Sequence, residues 1–172
     1  FSSTPRQTSA LPGSRIARRI VAGFDHACVL ATDGTVWCWG DNGFGSVGVV
    51  GDSQLNPVQV TLNSTATMIA AGGYTTCAVL SDKSLQCWGR NNKGQLGDGT
   101  SGNTGVTTPV YASLVPASFT VAHLEIGDTH SCAVSVFGAV WCWGEHTSGR
   151  LGTTATSSAV TPAATASVGG IA

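Results

Sequence analysis

Charge is what this chain has least of. Only 10% of its 172 residues are Asp, Glu, Lys or Arg, and eight basic residues against nine acidic ones leave a net charge of −1. That balance excludes nucleic-acid binding driven by a general basic field. No apolar run approaches the roughly 18 residues needed to cross a bilayer as a helix. Methionine occurs once, position 1 is Phe, and no leader pattern opens the chain. These features suggest a processed chain or a piece of a longer one. The motifs of common chemistries are missing as well: there is no G-x-S-x-G elbow, no H-E-x-x-H and no Walker loop. What is present is a 42% hydrophobic composition with five Trp, 23 Gly and six Cys. That excludes a disordered chain and allows a sizeable core. Six Cys in a Ser/Thr-rich, charge-poor chain point to an oxidising, extracellular or cell-surface setting.

The dominant feature is an internal repeat, which is the first thing to seek in such a chain. Residues 20–40 read IVAGFDHACVLATDGTVWCWG, residues 69–89 read IAAGGYTTCAVLSDKSLQCWG, and residues 124–144 read LEIGDTHSCAVSVFGAVWCWG. Glycine pairs follow at fixed offsets: Gly45 and Gly48, Gly94 and Gly97, Gly149 and Gly152. Each repeat then runs through a Ser/Thr/Gly/Asn stretch to a proline. Pro5, Pro57, Pro109 and Pro162 mark periods of 52, 52 and 53 residues. We therefore expect a single repeat array over 1–172. Its hairpins centre on 20–48, 69–97 and 124–152, with partial repeats at 1–19 and 158–172.

Within each repeat, β-branched and aromatic runs bound a short turn. Cys28–Ala31 and Thr35–Trp39 flank Thr32-Asp33-Gly34, which reads as a hairpin with Gly34 in the left-handed position. That register sets Cys28 opposite Cys38, Cys77 opposite Cys87 and Cys132 opposite Cys142, within disulfide reach. Three bridges, one per hairpin, are expected. Buried free thiols are the alternative, and the spacing suits zinc less well because no C-x(2)-C knuckle or paired His is present. Lys83 stands where Gly34 and Gly138 stand in the other turns, so it should be strained or its turn should differ. Val58–Leu62 and Val110–Leu114 read as further strands with proline at the first position. Met68–Ala71 and Ile20–Ala22 lead into the hairpins. About four short strands per repeat of roughly 50 residues indicate an all-β chain of β-propeller-type blades. Three such units cannot close a ring, so the array is unclosed or part of a larger propeller.

The pattern Ala-Gly-x-x-His-x-Cys, the Trp-Gly pairs Trp39-Gly40, Trp88-Gly89 and Trp143-Gly144, and the glycine pairs after them resemble the regulator-of-chromosome-condensation repeat family, with one Cys pair per repeat as a variation. The resemblance covers nearly the whole chain and implies seven-bladed propellers that bind proteins through loops at one face. Members of that family include an exchange factor for a nuclear small GTPase, secreted β-lactamase inhibitors and membrane-traffic scaffolds. The exchange factor works through a wedge that this chain does not match, and paired Cys resemble the secreted relatives.

The candidate chemistry is thin. His26 and His130 share one repeat phase, two residues before a Cys, and are expected to make hydrogen bonds within a blade. His123 and His146 have no recurring partner. The glycine pairs read as positive-φ turns rather than a phosphate cradle, since no helix follows them. Gly97–Asn103 has one carboxylate, too few for a calcium loop. Arg15, Arg18 and Arg19 form the only basic cluster and read as a solvated strand entry. Phe44 and Tyr74 are the loop aromatics singled out for binding. Asn63-Ser64-Thr65 is a glycosylation sequon in a connecting loop, so Asn63 is a candidate glycan acceptor. No catalytic, cofactor or metal residues are assigned. The expected function is a non-enzymatic extracellular structural or scaffolding protein. Its partners would be copies of itself or further repeats of a longer chain, as in a surface filament or sheath built by end-to-end blade stacking. A secreted protein-binding module is the alternative.

Overall fold

The computed structural model describes residues 4, 7–102, 105–113, 119–154 and 157–165. They form three four-stranded antiparallel sheets, each contiguous in the chain. The first is β1 (Ala17–Ala22), β2 (His26–Ala31), β3 (Val36–Gly40) and β4 (Gln54–Val60). The second is β5 (Ala66–Gly72), β6 (Thr75–Leu80), β7 (Leu85–Arg90) and β8 (Gly105–Tyr111). The third is β9 (Val121–Ile126), β10 (His130–Ser135), β11 (Val140–Gly144) and β12 (Ala159–Ala164). These are propeller-type blades in an unclosed array. The blades meet because alternate side chains of each strand face opposite ways. One face of blade 1 (Cys28, Leu30, Val36, Cys38) meets Ile69, Ala78, Leu80 and Trp88 of blade 2. The other face of blade 2 meets Leu124, Ala133 and Trp143 of blade 3.

The hairpins take the register read from the sequence. Cys28 pairs with Cys38, Cys77 with Cys87 and Cys132 with Cys142. All three pairs are disulfide-bonded, each with a Cα–Cα distance of 4.1 Å. So close an approach belongs to directly opposed residues that share no backbone hydrogen bond. In the turns, Gly34, Lys83 and Gly138 have φ of 80°, 72° and 81°. Lys83 thus keeps the turn of its neighbours and bears the left-handed strain itself, of order 1–2 kcal/mol.

The fourth strands differ from the sequence reading. Pro57, Pro109 and Pro162 lie inside β4, β8 and β12, not at their starts. In all three sheets the pairing skips where the proline falls: Cys38 faces Val58 while Gly40 faces Gln54, Cys87 faces Val110 while Gly89 faces Val106, and Cys142 faces Ala163 while Gly144 faces Ala159. Each of these strands is the outer edge of its sheet. An edge strand with a bulge tolerates a residue that cannot donate to the ladder. The strand therefore begins three or four residues before the proline. Leu114, the far end expected for the second of them, lies outside the described residues, as do Pro5 and Asn103.

The tryptophan and glycine signature is explained by the seams between blades. The Trp88 indole N–H donates to the Ser46 carbonyl of blade 1 at 3.0 Å, and Trp143 donates to the Gln95 carbonyl of blade 2 at 2.8 Å. A Cβ added to Gly48 would lie 2.8 Å from the Trp88 indole nitrogen, and one added to Gly97 would lie 2.8 Å from that of Trp143. The second glycine of the first two pairs thus gives positive φ and lets the next blade's indole approach the backbone.

Candidate functional site

The loops joining first to second strands and third to fourth strands gather at one end of the blades, and the hairpin turns lie at the other. On the loop end, four side chains cluster across the first seam. Phe24 meets Tyr74 edge-on with centroids 5.4 Å apart, and Phe44 meets Tyr74 at 4.9 Å. The Arg90 guanidinium lies over the Phe44 ring, 5.2 Å from its centroid. Backbone bonds position the cluster: the Phe24 N–H donates to the Gly73 carbonyl, and the Arg90 N–H donates to the Tyr74 carbonyl. The Tyr74 hydroxyl donates to Asp25 at 3.2 Å, and that bond is the main cause holding its pKa above the ordinary phenol value. Phe24 is 61% exposed.

Phe44 and Tyr74, the two loop aromatics singled out in the sequence, are brought into contact across the seam, which their separate places in the chain did not indicate. Phe24 was missed. It shares a repeat phase with Gly73 and Asp128, so no recurring aromatic marks it; only its place in a tight strand connection could have. At the second seam, ions take the place of rings. Glu145 accepts from Lys93 at 3.2 Å and from Arg150 at 2.8 Å. Its pKa is lowered, chiefly by the hydrogen bond from Thr129 and then by Lys93.

The histidines of the repeat do not behave alike. The His26 ring lies across the first seam rather than within its blade, with Nε2 2.7 Å from the Thr76 hydroxyl of blade 2. It is 4% exposed, its Nδ1 has no partner, and a Cβ on Gly23 would lie 2.2 Å from its ring. Burial lowers its pKa from 6.5 to about 4, against the pull of Asp41 and Asp25. Thr75, at the same phase in blade 2, donates within its own blade to the Arg90 carbonyl. His130 is half-buried and its pKa is lowered by burial and by Arg150. His123 is exposed on β9 and His146 half-buried in the loop after β11.

Because the folded state keeps His26 neutral while the unfolded chain protonates it near 6.5, its contribution to stability is complete above that pH. It is lost as pH falls from 6.5 towards 4, by about 3 kcal/mol. Denaturant unfolding at a series of pH values should show this slope, and His26→Asn should flatten it while leaving the carboxylates' share in place. An unchanged slope in the variant would show that His26 does not hold the seam.

The other sequence candidates take local roles. Asp98 accepts from the Thr100 amide and hydroxyl, which organises its own loop. Arg15 pairs with Asp33 at 2.9 Å and lies over Trp37, while Arg18 and Arg19 are exposed. Asn63 is exposed between β4 and β5. Its N–H donates to Gln86 Oε1, and its Oδ1 accepts from Gln86 Nε2. Among the described residues no helix is long and apolar enough to cross a membrane, and no group of His, Cys, Asp and Glu gathers as for a metal ion.

Comparison with known proteins places the blades. The regulator of chromosome condensation (RCC1) repeat matches residues 33–79 and 84–134, and a second form of that repeat matches 17–46 and 68–95. Yeast RCC1 (Prp20) in complex with Kap60 is 23% identical, with a TM-score of 0.77, over 91% of this chain and 38% of that one. A structure of Saccharomyces cerevisiae Prp20p gives the same identity and TM-score over 91% and 40%. Human WBSCR16 is 22% identical, with a TM-score of 0.75, over 86% and 37%. At these identities the likeness is one of fold, and the chain spans about two fifths of each relative. The chain belongs to the regulator of chromosome condensation repeat family.

Proposed function

We propose that this chain is a non-enzymatic protein-binding module of an extracellular or cell-surface protein, and that it engages partners through the loop end of the blades. The Phe24–Tyr74–Phe44–Arg90 cluster carries this reading. Aromatic residues and Arg, held rigid and partly exposed, are the side chains that dominate protein interfaces. The fold relatives point the same way: yeast Prp20 is seen with Kap60, and its binding to Gsp1p and histones has been studied. The imidazole and hydroxyls of the first two seams support a non-enzymatic role, being spent between blades: His26 on Thr76 and Ser131 on the Gln95 carbonyl. Three disulfides favour an oxidising compartment. Asn63, exposed and with its amide oxygen engaged, is the proposed glycan acceptor.

Affinity selection from secreted and surface proteins tests the loop end. A partner held by the native chain should bind about thirty-fold more weakly or worse to Phe24→Ala/Phe44→Ala. It should be indifferent to Phe137→Ala, which removes an exposed ring at the opposite end. A partner with the reverse dependence, or no protein partner at all, would overturn the reading.

End-to-end stacking is the second reading, favoured by one comparison. Ile20, Ile69 and Leu124 share a phase, yet Ile69 is 0% and Leu124 1% exposed while Ile20 is 63% exposed. The indole N–H of Trp39, at the phase of Trp88 and Trp143, donates no hydrogen bond among the described residues. The uncovered face of blade 1 thus matches the faces buried at both seams, and the third blade of another copy would offer the Arg150 carbonyl to Trp39. Sedimentation should then show growth with concentration that Ile20→Asp abolishes. A stable monomer at every concentration would sink the stacking reading.

A further inference from the structure

The loop end carries more than rings. By the direction of the strands it collects Asp25, Asp41, Asp52, Asp98, Asp128 and Glu145, against Arg90, Lys93 and Arg150. Two of the three cations are engaged by Glu145, and the third lies on Phe44. Beside the aromatic cluster, Asp41 and Asp52 line an open recess of about 440 Å³ together with Asn42, Gly43, Gly51 and Ser53. Gly43 joins this recess directly to Phe44, and the Asp41 N–H donates to the Asp25 carbonyl. An exposed ring flanked by a carboxylate thus adjoins a recess walled by two more.

From this arrangement we propose that the partner segment received at the first seam is a basic peptide. One Arg or Lys stacks on the free face of Phe24 beside Asp25, and a second enters the recess between Asp41 and Asp52. This rests on the loop-end reading above and names the chemistry of the partner. A cation over an exposed ring gains from the quadrupole of that ring. Nearby carboxylates draw the same cation and disfavour an acidic segment. Neutral apolar peptides would find only the rings, and acidic ones would meet Asp25, Asp41 and Asp52, three carboxylates that no cation pairs among the described residues.

Fluorescein-labelled octapeptides of alternating Arg-Gly, Lys-Gly and Glu-Gly, titrated against the oxidised full chain, test the proposal by fluorescence anisotropy. The Arg-Gly and Lys-Gly peptides should bind and the Glu-Gly peptide should not, and binding should weaken as salt rises. Phe24→Ala should weaken the Arg-Gly peptide by about two- to five-fold. Asp25→Asn and Asp52→Asn should weaken it further, whereas Glu125→Gln, an equal change of charge on exposed β9, should leave it unchanged. Equal weakening by Glu125→Gln would mean unspecific attraction and would overturn the proposal. So would binding of the Glu-Gly peptide, or absence of Arg-Gly and Lys-Gly binding. Selection of a protein partner that is lost with Phe24→Ala but whose bound segment is not basic would overturn this inference and leave the loop-end reading standing.

Discussion

Replacing Trp88 by Ala should destabilise the protein by about 3–5 kcal/mol, whereas Trp39→Ala should lose about 1–2 kcal/mol. The two residues occupy one repeat phase and differ only in what lies opposite. Trp88 is fully buried against blade 1 and donates to the Ser46 carbonyl. Its removal leaves a cavity at the seam and takes the indole donor from that carbonyl. Trp39 is half-buried on the uncovered face and loses only partial contacts. Chemical denaturation followed by circular dichroism measures both. Equal losses would mean that the indole stabilises its own blade rather than the seam.

Loss of the disulfides should be larger still. Each bridge closes a loop of sequence separation 10, worth about 2–3 kcal/mol in the loop-entropy account. Three together, about 7 kcal/mol, are comparable with the whole stability of a typical domain. Substituting all six Cys by Ser should therefore leave little folded protein at 37 °C. Reduction of the native chain should also be ordered. The first two pairs are 0% exposed within seams, while Cys132 is half-buried on the outward face of blade 3. Timed alkylation under mild reductant should label Cys132 and Cys142 first. Simultaneous labelling of all six would show that the seams open together before any bridge is reached.

The disulfide register and the propeller-type blades were legible in the chain, because each is local, whereas the choice at Lys83 between a strained residue and a different turn was made only by the structure. A cross-strand pair ten residues apart depends only on the turn between its halves, and three copies of one pattern remove the ambiguity of any single copy. The prolines misled because their place at a bulged edge depends on the neighbouring strand. His26 was read as bonding within its blade because repetition suggests a role internal to the repeat. Its partner, Thr76, lies 50 residues away across a seam.

By itself, the sequence determined the repeat, the strand content, the staples and the family resemblance. Those rest on side-chain period, turn chemistry and spacing, which act over a few residues. The tertiary structure alone decided which equivalent residues differ. Ile20 and Ile69, Trp39 and Trp88, or His26 and His130 are interchangeable in the pattern. They part company only when one face meets a neighbouring blade and the other does not, since burial is a property of the seam. The loop-end cluster has the same origin: Phe24 and Phe44 from one blade meet Tyr74 and Arg90 from the next. No local pattern encodes that contact, because the twist between blades sets it.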